Sequence, residues 1–200
     1  MLRKIYNSLK RHISHLDYSM EELVRSHGGV VGKDVYIGDN VLIDLDWAFL
    51  LEIGDGAVIS ARTVIELHDS SLPNVMGRGK LRVGRVRIGR RAYIGVNTVV
   101  LPGVQIGDGA IVGASSLVNT NIPSREVWAG NPARFITTVD ALVQKRESIG
   151  NTRESAGFDW MGQPEKKTSD YENVKKAFIS DVKEYFATQE RLGKASSNPR

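Results

Sequence analysis

His68 stands in Val64-Ile-Glu-Leu-His-Asp-Ser-Ser. An imidazole titrates near neutral pH, so it can take a proton from a hydroxyl or amine and return it to a leaving group. Glu66 lies two residues earlier, and in an extended strand it points to the same side as His68. Asp69 is adjacent. Either carboxylate could hold the imidazole tautomer, as the acid of a hydrolase triad does. Asp44 and Asp46 lie upstream, where either could hydrogen-bond a substrate. Taken alone, these groups also read as ordinary loop residues: a histidine bonded to a nearby Ser or Asp, and carboxylates in solvated turns. The scaffold around them decides.

That scaffold is a repeat of six. Ile88, Ile94, Val100, Ile106, Val112 and Val118 follow one another without a slip. Glycine comes next at Gly89, Gly95, Gly107 and Gly113, and a small or β-branched residue lies four places on, at Ala92, Thr98, Val104, Ala110, Ser116 and Ile122. Neither a helix nor a single strand has this period. It marks a parallel β-helix in which each hexad is one short strand and one corner. The aliphatic points inward, and the glycine is expected to turn the corner with an unusual φ. The same step runs through Val31, Ile37 and Ile43, slips between Ile43 and Ile53, and resumes at Ile53, Ile59 and Ile65. The slip reads as a hexad plus a bulge or small insertion. From His68 to Val86 the pattern stops for a long loop, and it ends at Ile122-Pro123.

The motif resembles the hexapeptide-repeat acyltransferases. That resemblance implies a left-handed β-helix of about five coils, a mainly β fold with N- and C-terminal α-helical extensions. It implies a homotrimer with sites between subunits, and an acetyl-CoA or other acyl-CoA donor. In that family the catalytic histidine opens the loop that interrupts the coils, the place held here by His68. The segments around Tyr93-Ile-Gly-Val-Asn-Thr and Ala129-Gly-Asn-Pro-Ala-Arg are similar to the family's donor side. They point to Gly95, Asn97, Gly113, Ala114, Ser115, Asn131 and Arg134 as donor contacts. Arg134, and with it Arg90 or Arg91, is expected to meet the cofactor phosphates. Many relatives carry Trp where this chain has Tyr93. The Ile-Glu-Leu-His-Asp segment looks like the sugar-modifying members, so the expected acceptor is a sugar or polysaccharide precursor bearing a hydroxyl or amine. No metal is expected.

The resemblance covers residues 31–136. Outside it, residues 1–29 read as an amphipathic helix with a basic first half, residues 30–136 as the β-helix with its loop at 68–87, and residues 137–200 as a helical extension and tail. A short helix is expected from Val139 to about Ser148, and a second amphipathic one from about Asp170 to Arg191. The first helix suits docking on the coil or a neighbouring subunit, with peripheral membrane contact as the alternative. His12 and His15 on that helix read as a solvated polar face.

The 200 residues contain no Cys, which excludes disulfides, thiolate metal sites and a Cys nucleophile. No signal peptide or transmembrane run is seen, so a cytoplasmic location is expected. The net charge of +4 fits an anionic cofactor or membrane surface, and no nucleic-acid motif accompanies it. The same fold serves other ends. A zinc hydratase would need three His ligands, and the repeat holds only His68. Transfer from an acyl carrier protein goes with a longer run of coils. The rival reading is a non-catalytic scaffold or protein-binding module.

Overall fold

The computed structural model describes residues 18–147 and, beyond them, positions 180, 183 and 184. The chain begins with helix α1 (Met20–Ser26). Its Ser19 side chain accepts from the Glu22 N–H while Glu22 reaches back to the Ser19 N–H, a reciprocal cap that fixes the start. The helix expected over residues 1–29 is thus confined to this short segment where it is described: Tyr18, Ser19 and residues 27–29 are not helical, the extended Ser19 backbone marking the break. Residues 1–17, including His12 and His15, lie outside the described residues, as does the expected helix from about Asp170, save for the helical positions Ser180, Lys183 and Glu184.

From Val30 the chain winds as a three-sided parallel coil. The first side stacks β1 (Val30–Val31), β4 (Leu51–Ile53), β9 (Val86–Ile88) and β12 (Gln105–Ile106). The second stacks β2 (Tyr36–Ile37), β5 (Val58–Ile59), β10 (Tyr93–Ile94), β13 (Ile111–Val112) and β15 (Glu126–Ala129). The third stacks β3 (Leu42–Ile43), β6 (Val64–Ile65), β11 (Val99–Val100) and β14 (Leu117–Val118). Every pair within these stacks is parallel, and the repeat's aliphatics lie in one register, Ile43 beside Ile65 and Val100 beside Val118. This is the parallel β-helix expected from the repeat, with four full coils and a partial fifth.

The inward aliphatics Ile53, Ile59, Ile65, Ile88, Ile94 and Ile106 are all at most 1% exposed and form one continuous core. Burying each such side chain stabilises by about 1.5–3 kcal/mol. The small residues of the repeat are buried beside them. Where these are polar, they are satisfied: the Thr98 hydroxyl donates to the Gly113 carbonyl at 3.2 Å, and Ser116 to the same carbonyl at 2.7 Å.

The corners correct one expectation. The glycine directly after each aliphatic is not the residue with unusual φ. The left-handed residue comes two places later, at Asp34, Asn40, Arg62, Arg91, Asn97, Ser115 and Arg125 or a glycine such as Gly56. The first glycine is needed for a different reason. A Cβ on Gly95 would stand 2.5 Å from the Ala114 nitrogen, and one on Gly107 2.4 Å from the Ser124 nitrogen. Adjacent coils pass too closely there for any side chain.

The repeat is interrupted twice, both times at the corner from the third side back to the first. Ile43 and Ile53 are separated by a 3₁₀ turn, Leu45–Leu50, which resolves the slip as an insertion. Between Ile65 and Ile88 the loop is not irregular throughout. Strand β7 (His68–Asp69) pairs antiparallel with β8 (Arg82–Val83), and helix α2 (Ser71–Met76) lies between them. At the far end the coil continues past Pro123. Ile122 bridges Ile106, β15 adds to the second side, and β16 (Arg134–Thr138) pairs antiparallel with β15. Helix α3 (Val139–Glu147) follows, close to the expected bounds. No helix among the described residues is long and apolar enough to cross a membrane.

Candidate active site

Stacking the two insertions on adjacent coils builds the site. Ile43 pairs with Ile65, so Asp44, the next residue, comes level with the start of the long loop; its N–H donates to the Ile65 carbonyl at 3.3 Å. Leu67 turns inward and is fully buried, which leaves Glu66 and His68 facing outward on either side of it. Both line one open cleft of about 480 Å³, together with Asp44, Asp69, Ser70 and Ser71.

His68 Nδ1 is hydrogen-bonded to Asp44 Oδ2. An ionised carboxylate can only accept, so Nδ1 is the donor in this pair, and in the neutral form of the ring the lone pair is then on Nε2. The His68 side chain is 37% exposed and that of Asp44 20%, so the pair sits at the wall of the cleft rather than in the core. Trp47, from the 3₁₀ turn, brings its ring to 6.0 Å from the imidazole at a tilt of 32°. The Trp47 N–H donates to the Asp44 carbonyl at 3.1 Å, so one short turn fixes both the carboxylate and the aromatic neighbour of His68.

This geometry reassigns the carboxylates. The acid on His68 is Asp44, not Glu66 or Asp69. Asp69 is occupied with its own loop, accepting the Ser71 N–H at 2.8 Å. The Ser71 hydroxyl and N–H hold the Asp69 carboxyl below the usual carboxylate range. Glu66 is exposed in the same cleft without touching the imidazole. Asp46 is exposed on the 3₁₀ turn and does not line the cleft. Trp47 was not anticipated; the signal was an aromatic residue inside the first break of the repeat.

The expected donor contacts gather at a different corner, the one between the second and third sides. Gly95 and Ala114 are in close approach, Gly113 faces Ala129, and Asn97 Nδ2 donates to Ser115 Oγ at 3.4 Å. Asn131 belongs to the next turn of that corner, and Arg134 opens β16 with its guanidinium donating to the Ala133 carbonyl at 2.8 Å. Arg90 and Arg91 lie elsewhere, at the corner between the first and second sides. There Arg90 is forked onto Asp108 at 2.7 and 3.0 Å. Among the described residues, no three His, Cys, Asp or Glu side chains gather as a metal-ligand set.

The sequence of residues 85–120 matches the family described as bacterial transferase hexapeptide (six repeats). The chain is 34% identical to YvoF of Bacillus subtilis (strain 168) over 115 residues, 58% of this chain and 63% of that protein. It is 30% identical to the galactoside O-acetyltransferase of Escherichia coli (strain K12) over 111 residues, 55% of this chain and 54% of that enzyme. The chain thus spans little more than half the length of the curated relatives it matches. Among solved structures, a maltose O-acetyltransferase from Clostridium difficile 630 aligns with a TM-score of 0.44 at 25% identity, over 59% of this chain and 73% of that one. Residues 85–120 thus carry the repeat of the hexapeptide transferases, and over little more than half its length the chain is similar to acetyltransferases.

Proposed function

We propose that this protein transfers an acetyl group from acetyl-CoA to a hydroxyl of a sugar or polysaccharide precursor, with His68 as general base. The observation that carries the reading is the Asp44–His68 pair at the mouth of a cleft, in a coil whose relatives include the galactoside enzyme. His68 Nε2 takes the proton of the acceptor hydroxyl as its oxygen attacks the thioester carbonyl. Asp44 holds the ring in the Nδ1–H form and offsets the positive charge that develops on it. Collapse of the tetrahedral intermediate breaks the carbon–sulfur bond, and the imidazolium returns its proton to the departing thiolate. Sugar hydroxyls find acceptors in Glu66 and the loop serines. An amine acceptor would follow the same steps.

The donor groups at the second-to-third corner and His68 at the third-to-first corner are on opposite edges of the third side. A homotrimer that sets one protomer's His68 against a neighbour's donor corner would unite them, and closed three-fold packing gives three equal sites. The outward residues of the third side support such packing: Leu42, Val64, Val99 and Leu117 form an aliphatic column, whereas on the first side Val30 is followed by Glu52, Arg87 and Gln105.

The test is thiol release from acetyl-CoA in the presence of a panel of mono- and oligosaccharides. Acceptor-dependent release by the native protein and its loss in His68→Ala are expected. Failure to bind acetyl-CoA at all would reject the reading in favour of a non-catalytic scaffold.

A further inference from the structure

The loop that begins at His68 carries charge and apolar surface that proton transfer does not use. From Ser70 to Arg87 it holds five basic residues and no acidic one, against a net charge of only +4 for the whole chain. Arg87 is paired with Glu52 at 2.9 Å, and Arg82 faces Asp69 across the β7–β8 pair. Arg78, Lys80 and Arg85 are exposed and form no ion pair among the described residues. Between the two arms of the loop, α2 buries none of its residues. Leu72 is 67% exposed, Val75 80% and Met76 58%, and Leu81 and Val83 are exposed on the returning arm.

An apolar knuckle beside unpaired cations has a specific complement. A neutral apolar partner would leave the three cations without counter-charge. A purely acidic one, such as a nucleic-acid backbone, would leave Leu72, Val75 and Met76 uncovered. A surface that is anionic at the rim and apolar beneath satisfies both, and this is the chemistry of an anionic lipid leaflet. We propose that the 70–87 loop docks this protein on anionic lipid, with Leu72, Val75 and Met76 entering the headgroup boundary while Arg78, Lys80 and Arg85 pair with headgroups. The neck of the loop is His68–Asp69, so docking holds the His68 cleft at the level of the headgroups. The inference is independent of acyl transfer, because it concerns binding without substrate. It also differs from the membrane contact expected of residues 1–29.

The experiment is flotation of the full chain with phosphatidylcholine vesicles, with and without a third of phosphatidylglycerol. Two variants accompany the native protein, Leu72→Ser/Val75→Ser/Met76→Ser and Arg78→Gln/Lys80→Gln/Arg85→Gln. All six positions are exposed, so both variants are expected to fold, which circular dichroism checks. Flotation of the native protein only with phosphatidylglycerol is expected, with at least a roughly tenfold loss of the bound fraction in each variant, since each cation and each apolar contact adds to surface affinity. Three results would each overturn the proposal. The native protein could stay unbound. Either variant could float as the native protein does. Or the serine variant could change the oligomer mass by light scattering, which would make a second copy the occupant of α2.

Discussion

The three corners of this coil are made from the same repeat, yet only one holds the Asp44–His68 pair. At the first two, four residues turn the chain through a left-handed third position, with a glycine first in every turn but that of Ser60, because the next coil passes within 2.4–2.7 Å of its missing Cβ. At those glycines nothing can be added without parting the coils. The third corner is where additions are accepted: the 3₁₀ turn Leu45–Leu50 on the first coil and the loop beyond Ile65 on the second. Because those additions are stacked neighbours, they bring Asp44, Trp47 and His68 together across 24 residues of sequence. A regular coil supplies rigidity, and its interruptions supply reactive groups held by that rigidity.

This contrast sets an order of expected effects. The largest belongs to the interrupted corner. His68→Ala is expected to lower acceptor-dependent turnover by about 10²–10⁴-fold while leaving the melting temperature unchanged; kinetics and thermal unfolding on one preparation check both halves. Asp44→Asn follows, at on the order of a hundredfold, since an amide can donate to Nδ1 and favour the unproductive tautomer. Asp69→Asn is its control. It should cost less than about tenfold, because Asp69 caps Ser71 and does not touch the imidazole. Equal losses in the two variants would break the assignment of Asp44.

The regular corners should respond in the opposite way. Gly95→Val places a side chain against the Ala114 backbone, and a loss of about 1–3 kcal/mol or more is expected in denaturant unfolding. The smallest effect belongs to Arg90 and Asp108, both largely exposed at the first corner. Hydrogen bonds from the Arg90 side chain, then its N–H, hold the Asp108 carboxyl below the usual range. A depressed carboxylate contributes stability that is present above the unfolded value and lost as pH falls through the folded one. Asp108→Ala should therefore lower the melting temperature slightly at neutral pH, with the difference beginning to shrink as pH falls below about 4 and weakening in molar salt.

Much of this was legible in the sequence, for a physical reason. A core one residue wide demands an aliphatic at every sixth place, and such a period has no rival reading. The breaks at Ile43–Ile53 and after Ile65 were equally visible, and a long interruption was a sound place to look for His68. The partner of His68 was not legible along the chain, because neighbours in sequence compete with neighbours in the stack. Glu66 and Asp69 are close to His68 in number; Asp44 is close in space, since it follows Ile43 as Glu66 follows Ile65. Counting strands in threes would have exposed that relation. The role of the corner glycines was misread for a related reason: the constraint comes from the next coil, not from the glycine's own turn. The pairing of β7 with β8 and the helix α2 were hidden because that loop lies outside the repeat.

The most direct test of the Asp44–His68 pair needs no acceptor. Long-range proton–nitrogen NMR of the histidine rings reports which nitrogen of His68 carries the hydrogen, and His68→Ala assigns the signal. In the neutral imidazole of the native protein, Nδ1 is expected to carry the hydrogen, and Asp44→Asn should remove that preference. A native His68 with its hydrogen on Nε2, unchanged in Asp44→Asn, would contradict a base aimed from Asp44 into the cleft.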